Sequence, residues 1–380
     1  MSTTESEDPW SGTEKTLRER MRTARDRDER AVVVTVAAVE GTAYRRPGAK
    51  MLVSPDGSAS GAVTAGCLEE PVVDLAAEVL ADGTPRLEVF DLMDDDDGTW
   101  GLGLGCNGII DVFLEPLDGS WDRALDSVAE KTPQTVVTAI ESDTADVPAG
   151  SRTVVDDDGT RHAVPDRKPV PDAIVDEVAT TIDAVHDTGR ARTASVDTGE
   201  GTVTVMIDGL EPVSELVLFG NQNDIPPVAR TASQVGFEVT VYSARGVEAS
   251  EFPNADRVRT GHPTEIADVV TSPEYSYVVL MSHNLVDDQL ALETLLEETT
   301  VPYVGLMGPR ERFEEIREES DRLSDADPDR IATPVGLDLG GGAPVEIALS
   351  IVSEVVAVSN DCEGDRLTDK KGPIHPRISE

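Results

Sequence analysis

The sequence predicts an α/β protein in two folded parts: an N-terminal mixed α/β domain and a C-terminal doubly wound parallel sheet. Three observations carry this. From about residue 211, strand-like and helix-like segments alternate regularly, as parallel βαβ units require. Before residue 117, short strands punctuated by glycine are mixed with helical periods. A chain of 380 residues, 39% hydrophobic, has the length and apolar content for more than one core.

Residues 1–12 read as disordered. A helix is predicted near 13–28, with Leu17 and Met21 on one face. "AVVVTVAAVEG", 31–41, is an apolar, β-branched run typical of a buried strand. Two short strands follow, "KMLVS" and "GAVT", with a "PDG" turn between them. The next helix should begin near Leu68 and run to about Ala81, with Leu68, Val72, Leu75, Ala76 and Val79 inward. Strands follow near 86–91 and 108–115. The middle region has helices near 120–130 and 171–187, and "TASVDTGEGTVTVMID" reads as a hairpin. No internal repeat is evident.

"ELVLFG", "FEVTVYS", "YSYVVLMSH" and "VPYVGLMG" read as successive strands of the C-terminal sheet. Helices are expected over 225–235, over "DDQLALETLLE" and over "PRERFEEIREES", the last with Pro309 at its first position. "APVEIALSIVSEVVAV" is apolar nearly all round and predicts a buried helix. The expected division is 1–12, 13–116, 117–210, 211–360, and a loose tail over 361–380.

Charge sets limits on partners. Asp and Glu total 74 against 32 Lys plus Arg, for a net charge of −42. Such a surface repels nucleic acid and anionic membranes at ordinary salt. The acid is spread along the whole length, which reads as adaptation to high intracellular salt rather than as one acidic functional face. "DDDD" at 94–97 reads as a solvated loop. No stretch approaches the roughly 20 apolar residues of a membrane span. The polar, acidic start does not read as a signal peptide, so a cytoplasmic protein is expected. Three widely spaced cysteines argue against a disulfide framework or a paired-CxxC zinc site, and no metal site is expected.

The motifs are specific in places only. The dinucleotide fingerprint needs G-x-G-x-x-G after the first strand of the parallel sheet. Here "FGNQNDIPPVA" offers Gly220 alone, and Asp224 adds negative charge. Ordinary NAD(P) binding is therefore not expected. Four segments should converge at the carboxyl ends of the strands: Gly220–Asn223, Ser243–Arg245, Ser282–Asn284 and Gly308–Arg310. There His283, Arg245 and Arg310 could hold an anion. Gly340, Gly341 and Gly342 precede the last helix, where free N–H groups could meet a phosphate or where the glycines could simply permit a tight turn. Cys67, after Gly66, sits at an expected helix start, where a thiolate is stabilised; Glu69 and Glu70 oppose this. A small buried hydrophobe is the rival reading. Cys106 lies in the glycine-rich "GLGLGCNG", and Cys362 lies in the tail.

Several blocks in order resemble the XdhC/CoxI family: "GTAYRRPGAKMLV", "GAVTAGCLEE", "GLGLGCNGIIDVFLEP", "VVLMSHNLVDDQLALETLL", "YVGLMGPRERFEEI" and "PVGLDLGGGAPVEIALSIVSEVVA". The likeness covers about 30–116 and 214–358, and the acidic composition suggests a haloarchaeal member. The resemblance implies an XdhC-type N-terminal domain before a Rossmann-like domain. It also implies a maturation factor for molybdenum hydroxylases such as xanthine, aldehyde and CO dehydrogenases. Such a factor binds the molybdenum cofactor (molybdopterin), protects it while an oxo ligand is exchanged for sulfido, and helps insert it into the apoenzyme. A cysteine desulfurase as sulfur donor and a homodimer are implied with it. On this reading the chain is a cofactor chaperone rather than a turnover catalyst. Cys67 would be the reactive residue, with Gly66 and Cys106 in the same cofactor-handling part. Arg45, Arg46 and Lys50 would suit the cofactor's phosphate or dithiolene region. The rivals are an NAD(P)-dependent oxidoreductase and a dimeric scaffold that binds only dehydrogenase subunits. Gly220-Asn221-Gln222-Asn223 departs from the family's G-A-G-H, losing a histidine and a glycine.

Overall fold

The computed structural model describes residues 12–41, 43–92, 108–186, 188–323 and 328–370. They form two compact units, Met1–Pro212 and Val213–Glu380. Among them no helix is long and apolar enough to cross a membrane.

The first unit opens with helix α1 (Glu14–Asp26), capped by Thr13, whose hydroxyl accepts from the Thr16 N–H. Strands β1 (Val32–Gly41), β2 (Lys50–Val53) and β3 (Ala59–Gly61) follow, then helix α2 (Glu69–Asp82), then β4 (Arg86–Asp91) and β5 (Gly108–Pro116). They make an antiparallel sheet in the order β3-β2-β1-β5-β4. The expected "GAVT" strand lies slightly earlier, at Ala59–Gly61, because the chain turns to positive φ at Gly61.

Helix α3 (Asp122–Ala129) leads to β6 (Gln134–Ser142), β7 (Arg152–Asp156) and β8 (Arg161–Ala163). Helices α4 (Asp172–Glu177) and α5 (Ala179–His186) come next, then β9 (Ala191–Asp197) and β10 (Thr202–Leu210). The second sheet runs β8-β7-β6-β10-β9, again antiparallel. Helix, three strands, a helical segment and two strands therefore occur twice, in the same sheet order. The internal repeat that the sequence conceals is plain in the topology.

The match extends to single residues. Thr35 pairs with Lys50 and Val33 with Glu115 in the first sheet; Thr138 pairs with Arg152 and Val136 with Asp208 in the second. Each central strand skips one residue of register, Ala37 in β1 and Ile140 in β6. Gly48 donates to Val36 O and Gly150 to Ala139 O, at φ +93 and +88. A side chain at Gly48 would meet Ala191 Cβ at 3.1 Å, and one at Gly150 would meet Pro85 Cγ at 2.8 Å, so both turns need glycine.

Period-2 alternation sorts the faces. Val32, Val34, Val36, Met51, Val53, Ile110, Val112 and Leu114 pack on Val72, Ala76 and Val79 of α2. Val137, Ala139, Val155, Val205 and Ile207 pack on Ile174, Val175, Ile182 and Val185 of α4 and α5. The remaining faces meet each other, with Val33, Leu52, Val136, Val154 and Leu210 in one cluster and Ala37, Phe113, Ile140 and Met206 in another. The unit is thus a four-layer α/β/β/α sandwich.

Two buried ion pairs cross the interface between the sheets. Lys50 of β2 meets Asp208 of β10 at 2.7 Å, their side chains 4% and 3% exposed. Asp208 Oδ2 takes no hydrogen bond, so the contact is one of charge rather than of aligned N–H. Arg152 of β7 binds Glu115 of β5, donates to Ser120 Oγ at 2.8 Å, and lies over the Trp121 ring. By register Lys50 corresponds to Arg152, and Asp208 to Glu115.

The second unit is a doubly wound parallel sheet. Strands β11 (Glu215–Phe219), β12 (Glu238–Ser243), β13 (Arg257–Thr260), β14 (Ser276–Leu280), β15 (Tyr303–Leu306) and β16 (Ile331–Ala332) lie in the order β13-β12-β11-β14-β15-β16. Counted within the unit this is 3-2-1-4-5-6, the order of dinucleotide-binding sheets. Helices α6 (Ile225–Gln234) and α9 (Pro344–Ser359) cover one face. Helices α7 (Leu285–Glu298) and α8 (Arg310–Glu319) cover the other. Pro309 is the N-cap of α8 rather than its first residue. Helix α9 is buried on one side only: Ala348, Ile351, Val352 and Val355 face the sheet, while Val345 and Leu349 are exposed.

Candidate functional site

Strand directions bring three motif segments to one end of the first sheet. β1 ends at Gly41, which pairs with Gly108 at the start of β5; Asp91, at the end of β4, pairs with Ile109. Gly61, the last residue of β3, pairs with Met51 beside the start of β2. The turn 41–49, the loop 62–68 and the connection from β4 to β5 all leave the sheet at that end. Cys106 and the 94–97 acidic run belong to that connection and lie outside the described residues.

In the turn, Tyr44, Arg45 and Arg46 are exposed, and Arg46 O accepts the Ala49 N–H. Ala43 and Ala49, flanking the arginines, pack against the same apolar cluster as Cys67. Lys50 does not join this exposed set. Its ammonium is buried, held by Asp208 and donating to Gly48 O at 3.0 Å. It anchors the turn and offers no free cation.

Cys67 is half-buried and not in a disulfide. It precedes the Leu68 N-cap of α2, and Gly66 before it holds φ +107. The Leu68 N–H that follows it is engaged by the carboxylate of Glu69. That carboxylate folds back to accept from Thr64 Oγ1 at 2.7 Å, Thr64 N at 3.2 Å and Leu68 N at 3.1 Å. The loop carrying Cys67 is therefore clamped by Thr64 and Glu69, and its leading N–H is already taken. In the sequence alone Glu69 reads only as an opposing charge.

The other predicted residues belong to the second unit, where all six strands point the same way. Gly220, Met281 and Met307 follow β11, β14 and β15 at the carboxyl edge, and Ser243 ends β12 there. The ends of β11 and β14 are the topological switch point. A Cβ on Gly220 would lie 2.7 Å from Met281 O, so the two strand ends need glycine there. His283, at φ +58, meets Asp224 Oδ2 at 2.7 Å. Asp288, fully buried, accepts from Ser282 Oγ at 2.5 Å and from Arg312 Nη2 at 2.6 Å. Both residues were missed in the sequence: they tie the α7 and α8 ends together. Arg310 is exposed at the first turn of α8.

Neither helix end offers a ready phosphate cradle. In α6, Pro226 and Pro227 remove two of the N–H groups a pyrophosphate would use, and Asp224 is the N-cap. At α9, Gly342 N and Ala343 N donate to Glu346 Oε2 at 3.0 and 2.9 Å. The Gly340–Gly342 turn thus already holds an anion of its own. These bonds, the Ala343 one first, lower the Glu346 carboxyl below its usual value.

Comparison with known proteins adds the following. Residues 24–91 match the model described as the XdhC and CoxI family, and residues 216–355 match the XdhC Rossmann domain. A Bacillus subtilis protein named as a probable xanthine dehydrogenase subunit is 29% identical over 335 residues, 86% of this chain and 93% of its own length. An uncharacterized Escherichia coli protein, YqeB, is 26% identical over 188 residues, which span 47% of this chain and 32% of that protein. A solved structure described as a xanthine dehydrogenase from Bacillus halodurans superposes with a TM-score of 0.72 at 27% identity, over 90% of this chain and 96% of that one.

Proposed function

The chain belongs to the XdhC/CoxI family, and from that premise we propose that it is a maturation factor that carries the molybdenum cofactor to a molybdenum hydroxylase. The client is of the xanthine, aldehyde or CO dehydrogenase type, and the names of the relatives favour xanthine dehydrogenase. A cysteine desulfurase supplies the sulfur while the cofactor is held. The working form is a homodimer in the cytoplasm.

The observation that carries the reading is the convergence of the 41–49 turn, the 62–68 loop and the β4–β5 connection at one end of the first sheet. In this site the Arg45 and Arg46 guanidiniums bind the cofactor's phosphate, for which their planar forks are suited. Cys67 offers a soft sulfur to the molybdenum–dithiolene end. The Thr64–Glu69 clamp keeps its loop in place. Lys50, buried on Asp208, holds the root of the arginine turn.

The test is reconstitution of an apo-hydroxylase by cofactor-loaded protein. Cys67→Ser is nearly isosteric, so folding should be unchanged while restored activity falls about tenfold or more. A Cys67→Ser protein that transfers as well as the parent makes Cys67 a packing residue and removes it from the site.

One observation favours a second reading, an NAD(P)-dependent oxidoreductase: the 3-2-1-4-5-6 order of the parallel sheet. The prolines of α6 and Asp224 count against it. Saturable NADH binding at micromolar concentration would revive it.

A further inference from the structure

The two halves of the first unit provide a comparison within one molecule. The same scaffold appears twice, down to the strand register and the buried ion pairs, so features present in both copies are those the fold needs. The shared set includes Gly48 and Gly150, Lys50 and Arg152, and Glu115 and Asp208. It also includes the hairpin after β2 and β7. There Asp56 accepts from Ser58 N and Asp158 from Thr160 N, both at 2.9 Å, with Gly57 and Gly159 following at φ +82 and +80.

The turns before β2 and β7 share their backbone and differ in their side chains. Ala49 N donates to Arg46 O as Ser151 N donates to Pro148 O, and Val36 N to Ala49 O as Ala139 N to Ser151 O. Counting back from the glycines, Tyr44, Arg45, Arg46 and Pro47 match Asp146, Val147, Pro148 and Ala149. In the second copy Val147 turns inward and is 4% exposed, packed in the core under α4 and α5. In the first copy Arg45 is exposed and Tyr44 is 65% exposed. Burying a valine yields about 1.5–3 kcal/mol. The first copy forgoes that gain and has an exposed tyrosine and two exposed arginines there instead. The match to the XdhC and CoxI family over 24–91 also falls in the first copy.

We infer that the two halves are copies of one module whose roles have separated: the second is support, and the first carries Tyr44–Arg46 as a ligand-binding turn for a planar ring system bearing a phosphate. The exposed tyrosine is a stacking surface for the ring, and the adjacent arginines neutralise and orient the phosphate. That the ligand is the molybdenum cofactor rests on the reading above; the equivalence of the copies does not.

The test writes the second copy's turn into the first, in the full chain: Tyr44→Asp, Arg45→Val, Arg46→Pro and Pro47→Ala. Arg45→Gln with Arg46→Gln is the milder variant, which keeps the test open where the graft disturbs folding. The probe is molybdenum cofactor freed from a purified hydroxylase, and the readouts are cofactor retained per protomer and melting temperature in 3 M KCl. The expected result is a loss of retention of about tenfold or more in both variants, with melting within a few degrees of the parent. Variants that retain cofactor like the parent overturn the role of the turn and leave the chaperone reading standing. A parent that retains none overturns the chaperone reading and the ligand assignment together. Melting far below the parent in both variants, with or without cofactor, overturns the claim that the fold does not need these side chains.

Discussion

Lys50 and Cys67 show how far single residues could be read. Their positions in the motifs were visible, but their surroundings were not. Lys50 meets Asp208, which lies 158 positions further along the chain (208 − 50 = 158), and no local pattern joins them. The Thr64–Glu69 clamp, by contrast, joins residues only five positions apart, and a threonine just before a helix start with a glutamate in its first turn is a signal sequence reading could have weighed. The burial of the Lys50–Asp208 pair has a definite consequence. Removing one partner leaves a buried charge unpaired, which costs on the order of 3–5 kcal/mol. Lys50→Met should therefore lower unfolding stability by about that amount, measured by urea titration at high KCl. Lys50→Arg with Asp208→Glu, which approximates the Arg152–Glu115 pair, should recover much of the loss. A single-variant loss under about 1 kcal/mol would mean that the pair is not buried as described.

At the scale of elements, the parallel sheet was legible because β11, β12, β14 and β15 are apolar runs with helical periods among them. β13 and β16 escaped because "RVRT" is charged and Ile331–Ala332 is very short. The repeat escaped because the copies share little more than turn residues, "PDGS" against "DDGT" and a glycine two positions before each buried cation. Turn residues fix backbone geometry, while alternating apolar positions accept many side chains. Helix α9 was misread as wholly buried because its hydrophobicity is nearly uniform, and composition does not say which side meets the sheet. Its cap yields a pH prediction. The Glu346 carboxyl is lowered from 4.5 in the folded state by the Ala343 and Gly342 N–H groups. Its contribution is therefore whole above pH 4.5 and is lost as pH falls through the lower folded value. The melting difference between parent and Glu346→Gln should be constant from pH 7 to about 5 and shrink below about 4. A difference that grows on acidification would contradict the cap.

At the scale of the whole molecule, charge outweighs local detail. A net charge of −42 makes the compact state repel itself when screening is weak. The Debye length is about 10 Å at 0.1 M salt and about 3 Å at 1 M. Melting temperature should rise steadily from about 0.1 M to 3 M KCl, and a flat or falling curve would show that the acidic residues do something other than meet high salt. The family and the parallel sheet were readable from blocks in order, whereas the doubling of the first unit, which takes in the stretch expected to be a connecting region over 117–210, was not; the cargo is the part no fold can name, because it depends on side chains at one sheet end. The most direct test of the central claim is therefore the cargo itself. Protein incubated at high KCl with cofactor freed from a molybdenum hydroxylase, then separated by gel filtration, should carry molybdenum and pterin in equal amounts, approaching one per protomer. Protein that emerges with neither, while still folded, would contradict the account.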